Sequence, residues 1–467
     1  MKYLLLNPNW NQHTTPFAVD TVHPPIAPPL EFAYISSALK DLGEIRICDA
    51  YAANYSNQDI LNFVDSFQPD WIILTTTPSL LYWRCPPLDL RVPSSISKFL
   101  QTNNYNRILA IGPHSTVSPE WTNKKLGNVF VTNGLPGKKV LEIIKQSNYD
   151  SNDKILYQDP KIFLDNDDKA DFSCFDFSLN YIPHMWNVDD VDLSSLGKFS
   201  PSLLMETSKG CPYHCGYCFK SPLRDKFQRR NILSIQKELE QAKSLGVEYV
   251  FFIDEIFNLP DPGFLPTLDC IAQFDIKFGF QGRPDLITKE IAQYLSNAGC
   301  VYVELGFDAA STDISSNIKR TQKFEKAKEG LDICHEFIPI VRYNRLNLST
   351  WDYSVRLKIA DYSDNWDYPA DPVYPYPNTD IGDKLMKLYG YQEYSWEFAE
   401  RYVRWLRIEV GLQRDNTYLQ EMNTDIPTLQ EKFLQMDENS MVELCKSLRD
   451  FETDYSFHIS NRLIKGE

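Results

Sequence analysis

Lys209-Gly210-Cys211-Pro212-Tyr213-His214-Cys215-Gly216-Tyr217-Cys218-Phe219 sets three cysteines at C-x3-C-x2-C spacing in a glycine-bearing loop. Three thiolates this close, on a chain able to fold back, can wrap three irons of a cubane cluster and leave the fourth iron open. A zinc ion is the first alternative, yet zinc takes four protein ligands or three plus water, usually from paired short repeats. The next cysteine downstream is Cys270, so no second pair stands nearby. Reduced structural cysteines are the remaining reading of the spacing.

Working outward from the loop, strands and helices alternate from Leu203 onward. The pattern predicts strands at Leu203–Thr207, Tyr249–Ile253, Lys277–Gln281, Val301–Leu305 and Ile338–Tyr343, with a sixth near Val373–Tyr376. Helices are expected over Ser234–Leu245, Leu265–Phe274, Lys289–Ala298 and Glu325–His335. In a parallel barrel the chemistry gathers on the loops that follow strands. The cysteine loop follows the first strand, and later strands lead into Asp254-Glu255, Arg283-Pro284-Asp285 and Gly306-Phe307-Asp308. That agreement of spacing with topology favours the cluster.

Ahead of the loop, residues 1–150 alternate too. Strands are expected at Tyr3–Asn7, Ile45–Asp49, Trp71–Thr76, Arg107–Ile111 and Val129–Thr132. Helices are expected at Leu30–Asp41, Gln58–Phe67, Ser94–Thr102 and Gly137–Gln146. This rhythm predicts a doubly wound parallel sheet, whose ligands bind beyond the carboxyl ends of the strands. The loops there are Asn7-Pro8-Asn9-Trp10, Thr76-Thr77-Pro78-Ser79, Gly112-Pro113-His114-Ser115-Thr116 and Asn133-Gly134-Leu135-Pro136-Gly137. No G-x-G-x-x-G follows the first strand, which argues against a dinucleotide fold. Residues 151–198 are polar and irregular, with Asp165-Asn166-Asp167-Asp168 and Asp189-Asp190, and form an expected linker touching both halves.

Composition narrows the function. With Lys+Arg 47 against Asp+Glu 63, the net charge of −16 argues against general binding to nucleic acid or anionic membranes. Ten cysteines across 467 residues lack the density of a disulfide scaffold. The apolar opening breaks at Asn7-Pro8-Asn9, too early for a signal peptide, and no run approaches a membrane span. A reducing cytoplasm is the expected compartment.

Two resemblances follow from these stretches. Pro28-Pro29-Leu30-Glu31-Phe32-Ala33-Tyr34, Trp83-Arg84-Cys85-Pro86-Pro87, Gly112-Pro113-His114 and Gly134-Leu135-Pro136-Gly137 resemble the cobalamin-binding domain of B12-dependent radical S-adenosylmethionine (SAM) enzymes. Residues 200–345 resemble the radical SAM superfamily, with aromatic Tyr217 before the last cysteine. The resemblance implies an α/β chain in four parts: a Rossmann-like cobalamin domain (1–150), the linker (151–198), a partial (β/α)6 radical SAM barrel (199–380) and a mainly helical cap (381–467).

It further implies a [4Fe–4S] cluster on Cys211, Cys215 and Cys218, whose open iron chelates SAM. Backbone around Tyr217 and Phe219 would border the adenine, while Asp254 and Glu255 would approach the SAM amino group. Arg283 matches a third-strand arginine, or else pairs with Asp285. Glu304 and Asp308 stand where relatives carry Gly-(Ile/Val)-Glu-Ser, with Ala309 replacing the serine. Cobalamin would be contacted by Asn7, Pro29, Thr77, Trp83, Arg84, Gly112, His114, Ser115 and Gly134. The chain lacks Asp-x-His-x-x-Gly, so base-off methylcobalamin without a histidine ligand is implied. Trp83 and Arg84 would cover the lower cobalt face, or be core and surface ion pair; His114 would ligate cobalt, touch the corrin rim or tie down its loop.

Pro375-Tyr376-Pro377-Asn378-Thr379 resembles the stretch that closes such barrels, with Asn378 in place of glycine. Beyond it, helices are expected over Tyr389–Val410 and Ile426–Phe451, and their aromatics either roof the active site or fill a small core. Cys445 stands alone, so no auxiliary cluster is expected. The implied activity is methyl transfer from methylcobalamin to an unactivated sp3 carbon of a natural product or peptide. Electrons would come from a donor such as flavodoxin or ferredoxin. Oxidation, cyclisation or rearrangement without methyl transfer is the first rival. A first domain that docks a partner and holds no cobalamin is the second.

Overall fold

The computed structural model describes residues 1–10, 26–81, 85–88, 90–132, 140, 144–145, 154–156, 169–179, 181–185, 188, 190–219, 226–308, 319–347, 371–372, 374–388, 390–391, 396–414, 417–437, 440–441 and 444. The first half contains β1 (Lys2–Asn7), α1 (Leu30–Leu39), β2 (Glu44–Asp49), α2 (Asn57–Phe67), β3 (Trp71–Thr75), α3 (Arg91–Thr102) and β4 (Ile108–Ile111). It continues through α4 (Pro113–Val117), α5 (Pro119–Lys125), β5 (Phe130–Thr132) and β6 (Ile155–Leu156). The strands form one parallel sheet in the order β2-β1-β3-β4-β5-β6. The near-continuous apolar runs of β1 and β3 are buried, as parallel strands between helical layers require. The order reverses between β1 and β3, which opens a crevice at the carboxyl edge there.

Two features depart from the sequence expectation. β6 lies inside the stretch expected to be linker and pairs with Val131 and Thr132, so the first sheet extends past residue 150. The loop beginning at Gly112 turns at once into two short helices. Pro113 and Pro119 each open one, at the position where a missing N–H leaves no intrahelical bond unmade. Most of the helix expected at Gly137–Gln146 lies outside the described residues.

The second half is built from β7 (Ser202–Met205), β8 (Ser208–Lys209), β9 (Gln228–Arg229), α6 (Ile232–Ser244), β10 (Tyr249–Phe252), α7 (Phe264–Ala272) and β11 (Lys277–Gly282). It proceeds through α8 (Lys289–Asn297), β12 (Cys300–Asp308), α9 (Phe324–Phe337), β13 (Ile340–Asn347) and β14 (Asp371–Pro372). These give a second parallel sheet, β14-β13-β12-β11-β10-β7. The sixth strand falls just before the expected Val373–Tyr376. β8 and β9 pair antiparallel as a separate two-stranded ladder.

Helices α10 (Asp380–Leu388), α11 (Trp396–Arg414), α12 (Thr417–Glu421) and α13 (Ile426–Gln435) close the described chain. α10 was not expected, and α11 begins later than the sequence pattern suggests. Among the described residues no helix is long and apolar enough to cross a membrane.

The halves share a core. α1 buries Leu30 through Ser36 on every side, as a helix enclosed by other layers must. Tyr34 on it reaches Glu206 at the end of the first strand of the second sheet, 3.4 Å away. The connecting segment packs on both sheets: Asp171 N donates to the Ala33 carbonyl, Tyr181 to Asp49, and Tyr249 to the His184 carbonyl.

Candidate active site

The cysteine loop leaves the second sheet through a clasp. Ser208 and Lys209 pair with Arg229 and Gln228, so the two ends of the loop are held together. Gly210 takes φ +78, a left-handed turn that glycine makes without strain. Its N–H donates to Glu255 Oε2 at 2.9 Å. Cys211, Cys215 and Cys218 are each half-buried and outside any disulfide, and Cys218 N donates to the Cys215 carbonyl at 3.2 Å. Among the described residues no three His, Cys, Asp or Glu side chains converge on one point.

Asp254 is fully buried, and its carboxylate accepts from Thr207 N at 3.0 Å, from Thr207 Oγ1 at 2.7 Å and from Ser208 Oγ. It braces the strand that delivers the loop. Arg229 extends the brace to Thr207, Asp261 and the Phe257 and Leu259 carbonyls; the sequence reading passed over it.

Arg283 pairs with Asp285 through Nε at 3.0 Å and Nη2 at 2.8 Å, and its guanidinium lies 4.0 Å over the Tyr213 ring of the cysteine loop. Its Nη1 is buried and has no hydrogen-bond partner among the described residues. An unmatched buried donor costs about 1–3 kcal/mol. The ion pair with Asp285 is present, and one buried donor is left beside the cysteine loop.

Asp308 accepts from Tyr217 Oη at 2.7 Å and pairs with Arg320, whose Nη1 also donates to Tyr217 Oη at 2.8 Å. The same Nη1 lies 3.9 Å from Cys215 Sγ, and Nη2 donates to the Gly306 carbonyl at 2.6 Å. Burial works against the Arg320 charge, but Asp308, Tyr217 and Cys215 outweigh it and the pKa is raised. Arg320 thus places a fixed positive charge beside a thiol. It lies outside every motif quoted above, and only its neighbours in space reveal it.

Glu304 sits one level deeper on β12. Its Oε1 accepts from Asn344 at 2.7 Å and Gln281 at 3.1 Å, while Oε2 lies 3.2 Å from His184 Nε2 and 3.4 Å from Tyr302 Oη. These contacts join three strands and the connecting segment. Phe219 is buried against Tyr376 and Trp396, with centroids 5.7 and 5.2 Å away.

At the carboxyl edge of the first sheet the expected residues gather, but most are engaged internally. Asn7 donates to Asp49 at 2.9 Å and accepts from Trp10 at 2.8 Å. Pro29 precedes α1, and its carbonyl accepts from Phe32 N. Ser115 Oγ reaches the Thr132 carbonyl at 2.7 Å. Gly112 has φ +144, and a Cβ there would fall 2.0 Å from Thr76 Oγ1.

His114 is fully buried: Nε2 lies 2.6 Å from the Pro87 carbonyl, and Nδ1 3.1 Å from Thr76 Oγ1 and 3.4 Å from Thr77 Oγ1. Both ring nitrogens face protein oxygens, and these contacts join the loops after β3 and β4. Trp83, Arg84 and Gly134 lie outside the described residues.

Comparison with known proteins agrees with this geometry. Residues 205–359 match the radical SAM superfamily. An uncharacterized methyltransferase of Pyrococcus horikoshii is 25% identical over 334 residues, 67% of each chain. The radical SAM methyltransferase TsrM of Kitasatospora setae, solved with tryptophan substrate and a SAM analog, superposes with TM-score 0.55 at 17% identity, over 83% of this chain and 76% of that one. OxsB, a cobalamin-dependent SAM radical enzyme solved with aqua-cobalamin, superposes with TM-score 0.53 at 14% identity, over 99% of this chain and 80% of that one. At these identities the solved structures establish a shared fold.

Proposed function

We propose that this chain is a cobalamin-dependent radical SAM enzyme that moves a methyl group to an unactivated sp3 carbon of a small-molecule or peptide substrate, a reading supported by the radical SAM match over residues 205–359 and by the fold shared with TsrM and OxsB. The observation that carries this reading is a single buried cluster. Leu88 of the first-sheet edge, Phe219 of the cysteine loop, Tyr376 and Trp396 pack together. The edge expected to hold a corrin and the loop expected to hold a cluster therefore face each other, as two cofactors serving one substrate would require.

The residues fit these groups. Cys211, Cys215 and Cys218 supply three thiolates, and Arg320 near Cys215 lowers the cost of their charge. The buried Nη1 of Arg283 beside Tyr213 suits a carboxylate such as that of SAM. The placement of His114 agrees with cobalamin held base-off, without protein nitrogen on cobalt. When bound, cluster and SAM supply a carbon radical that removes hydrogen from the substrate, and cobalamin supplies the methyl group.

The chain's own part is to position these groups and keep water out. Glu255 fixes Gly210 at the loop entrance, Asp254 and Arg229 hold the strand beneath it, and Asp308 with Arg320 pins Tyr217. No general acid–base pair is required. We read the second sheet as the partial barrel enclosing the substrate, with Glu304, Gln281 and Asn344 on its lining.

The test is anaerobic incubation of the reconstituted protein with SAM, reductant and candidate substrates. Methyl transfer predicts S-adenosylhomocysteine together with 5′-deoxyadenosine. 5′-Deoxyadenosine without S-adenosylhomocysteine would move the assignment to rearrangement or oxidation.

A further inference from the structure

Tyr376, Ile381 and Trp396 together bind both expected cofactor loops. Tyr376 Oη donates to the Pro86 carbonyl across 290 positions, at 3.1 Å. The adjacent Pro87 carbonyl is the partner of His114 Nε2, so the loops after β3 and β4 are joined at the point that Tyr376 grips. Five residues after Tyr376, Ile381 N donates to the Gly216 carbonyl inside the cysteine loop, at 3.1 Å. The turn between them is stiff. Asn378 takes φ +63, Thr379 Oγ1 donates to the Tyr376 carbonyl at 2.7 Å, and a Cβ on Gly382 would fall 2.0 Å from that carbonyl.

Trp396 adds a second brace. Its ring centroid lies 4.6 Å from His114, 5.2 Å from Phe219 and 5.9 Å from Tyr376, and its backbone N–H donates to Ser118 Oγ at 3.3 Å. It touches the first-sheet edge on one side and the cysteine loop on the other, with no exposed surface. A packed ring of this size cannot shift without moving both neighbours.

We propose that Tyr376 and Trp396 are positioning residues: they fix the spacing between the loops after β3 and β4 and the cysteine loop, and so between corrin and cluster. The inference rests on the cobalamin reading above. Placement errors of about 1 Å can cost about a hundredfold in a reaction between oriented groups. A spacer that touches both loops is thus a control point, although neither residue need touch a cofactor.

The test compares wild-type protein with Tyr376→Phe and with Tyr376→Phe/Trp396→Leu, each reconstituted anaerobically with iron, sulfide and hydroxocobalamin. Iron and cobalamin per chain are measured first. The spin relaxation of the cob(II)alamin signal is then recorded with the cluster oxidised and reduced. The expected result is equal loading, with the enhancement caused by the reduced cluster weakened in Tyr376→Phe and several-fold weaker in the double variant. An unchanged enhancement in both variants would overturn the proposal. So would loss of cobalamin from Tyr376→Phe alone, which would make the residue part of the binding site. Wild-type protein that takes up iron but no cobalamin would instead sink the cobalamin reading, and the spacing proposal with it.

Discussion

At the scale of single residues, Glu31 shows how burial sets a proton. Thr75 Oγ1 lies 2.9 Å from the Thr77 carbonyl and 3.2 Å from Glu31 Oε1. A hydroxyl has one proton, and with the closer carbonyl taking it, the second contact is favourable when Glu31 carries its own. Burial accordingly raises the Glu31 pKa from 4.5 to about 7, against the opposing hydrogen bonds of Ser79 and Thr75. Because the folded pKa is raised, the native state binds more protons than the unfolded one between these values, and stability falls as pH rises from 4.5 to about 7. Glu31→Gln is therefore expected to raise thermal stability at pH 8 and leave pH 5 nearly unchanged, an effect of order 3 kcal/mol at most. Melting curves at the two pH values check it.

Arg320 gives the opposite case, a buried charge that must stay paired. Arg320→Leu removes the guanidinium that pairs with buried Asp308, and the expected loss is about 3–5 kcal/mol, read as a lowered melting temperature. Arg320→Lys is expected to recover part of it, since an ammonium cannot reach Asp308, Tyr217 and the Gly306 carbonyl together. The positions of the three cysteines, Glu255 and Arg283 near one loop were legible in the sequence because each follows a strand within a recognisable motif. Asp254 sits in the same motif, but its partners at residues 207 and 208 appear only in three dimensions. Arg320 meets Cys215 across 105 positions, and no local pattern could mark it.

At the scale of elements, the clasp of β8 and β9 is short, so it depends on the side chains under it. Asp254→Asn replaces an acceptor oxygen with an NH2 group facing Thr207 and Ser208, which costs about 1–3 kcal/mol in unmatched hydrogen bonds. The expected outcome is retained secondary structure with faster loss of iron from the reconstituted protein, followed by absorbance and iron assay. Full iron retention with impaired SAM binding would return Asp254 to the role the sequence motif suggested.

The long strands and helices were readable because their apolar periods are regular. β6 was not, since two residues carry no period and pair only because β5 offers a free edge. α10 and the helices opened by Pro113 and Pro119 were hidden behind prolines that look like loop residues in sequence.

At the scale of the molecule, two parallel sheets meet through α1, the connecting segment and the aromatic cluster around Trp396. The sequence showed both sheets, but their apposition depends on contacts between distant segments such as Pro86 and Tyr376. This apposition is what turns two separate cofactor expectations into one catalytic proposal. The most direct test is cofactor stoichiometry after anaerobic reconstitution of the purified chain with iron, sulfide and hydroxocobalamin. The account predicts one [4Fe–4S] cluster and one cobalamin per chain, with the cluster lost in Cys211→Ala and the cobalamin kept. A chain that binds zinc in place of the cluster, or takes up no cobalamin, would contradict it.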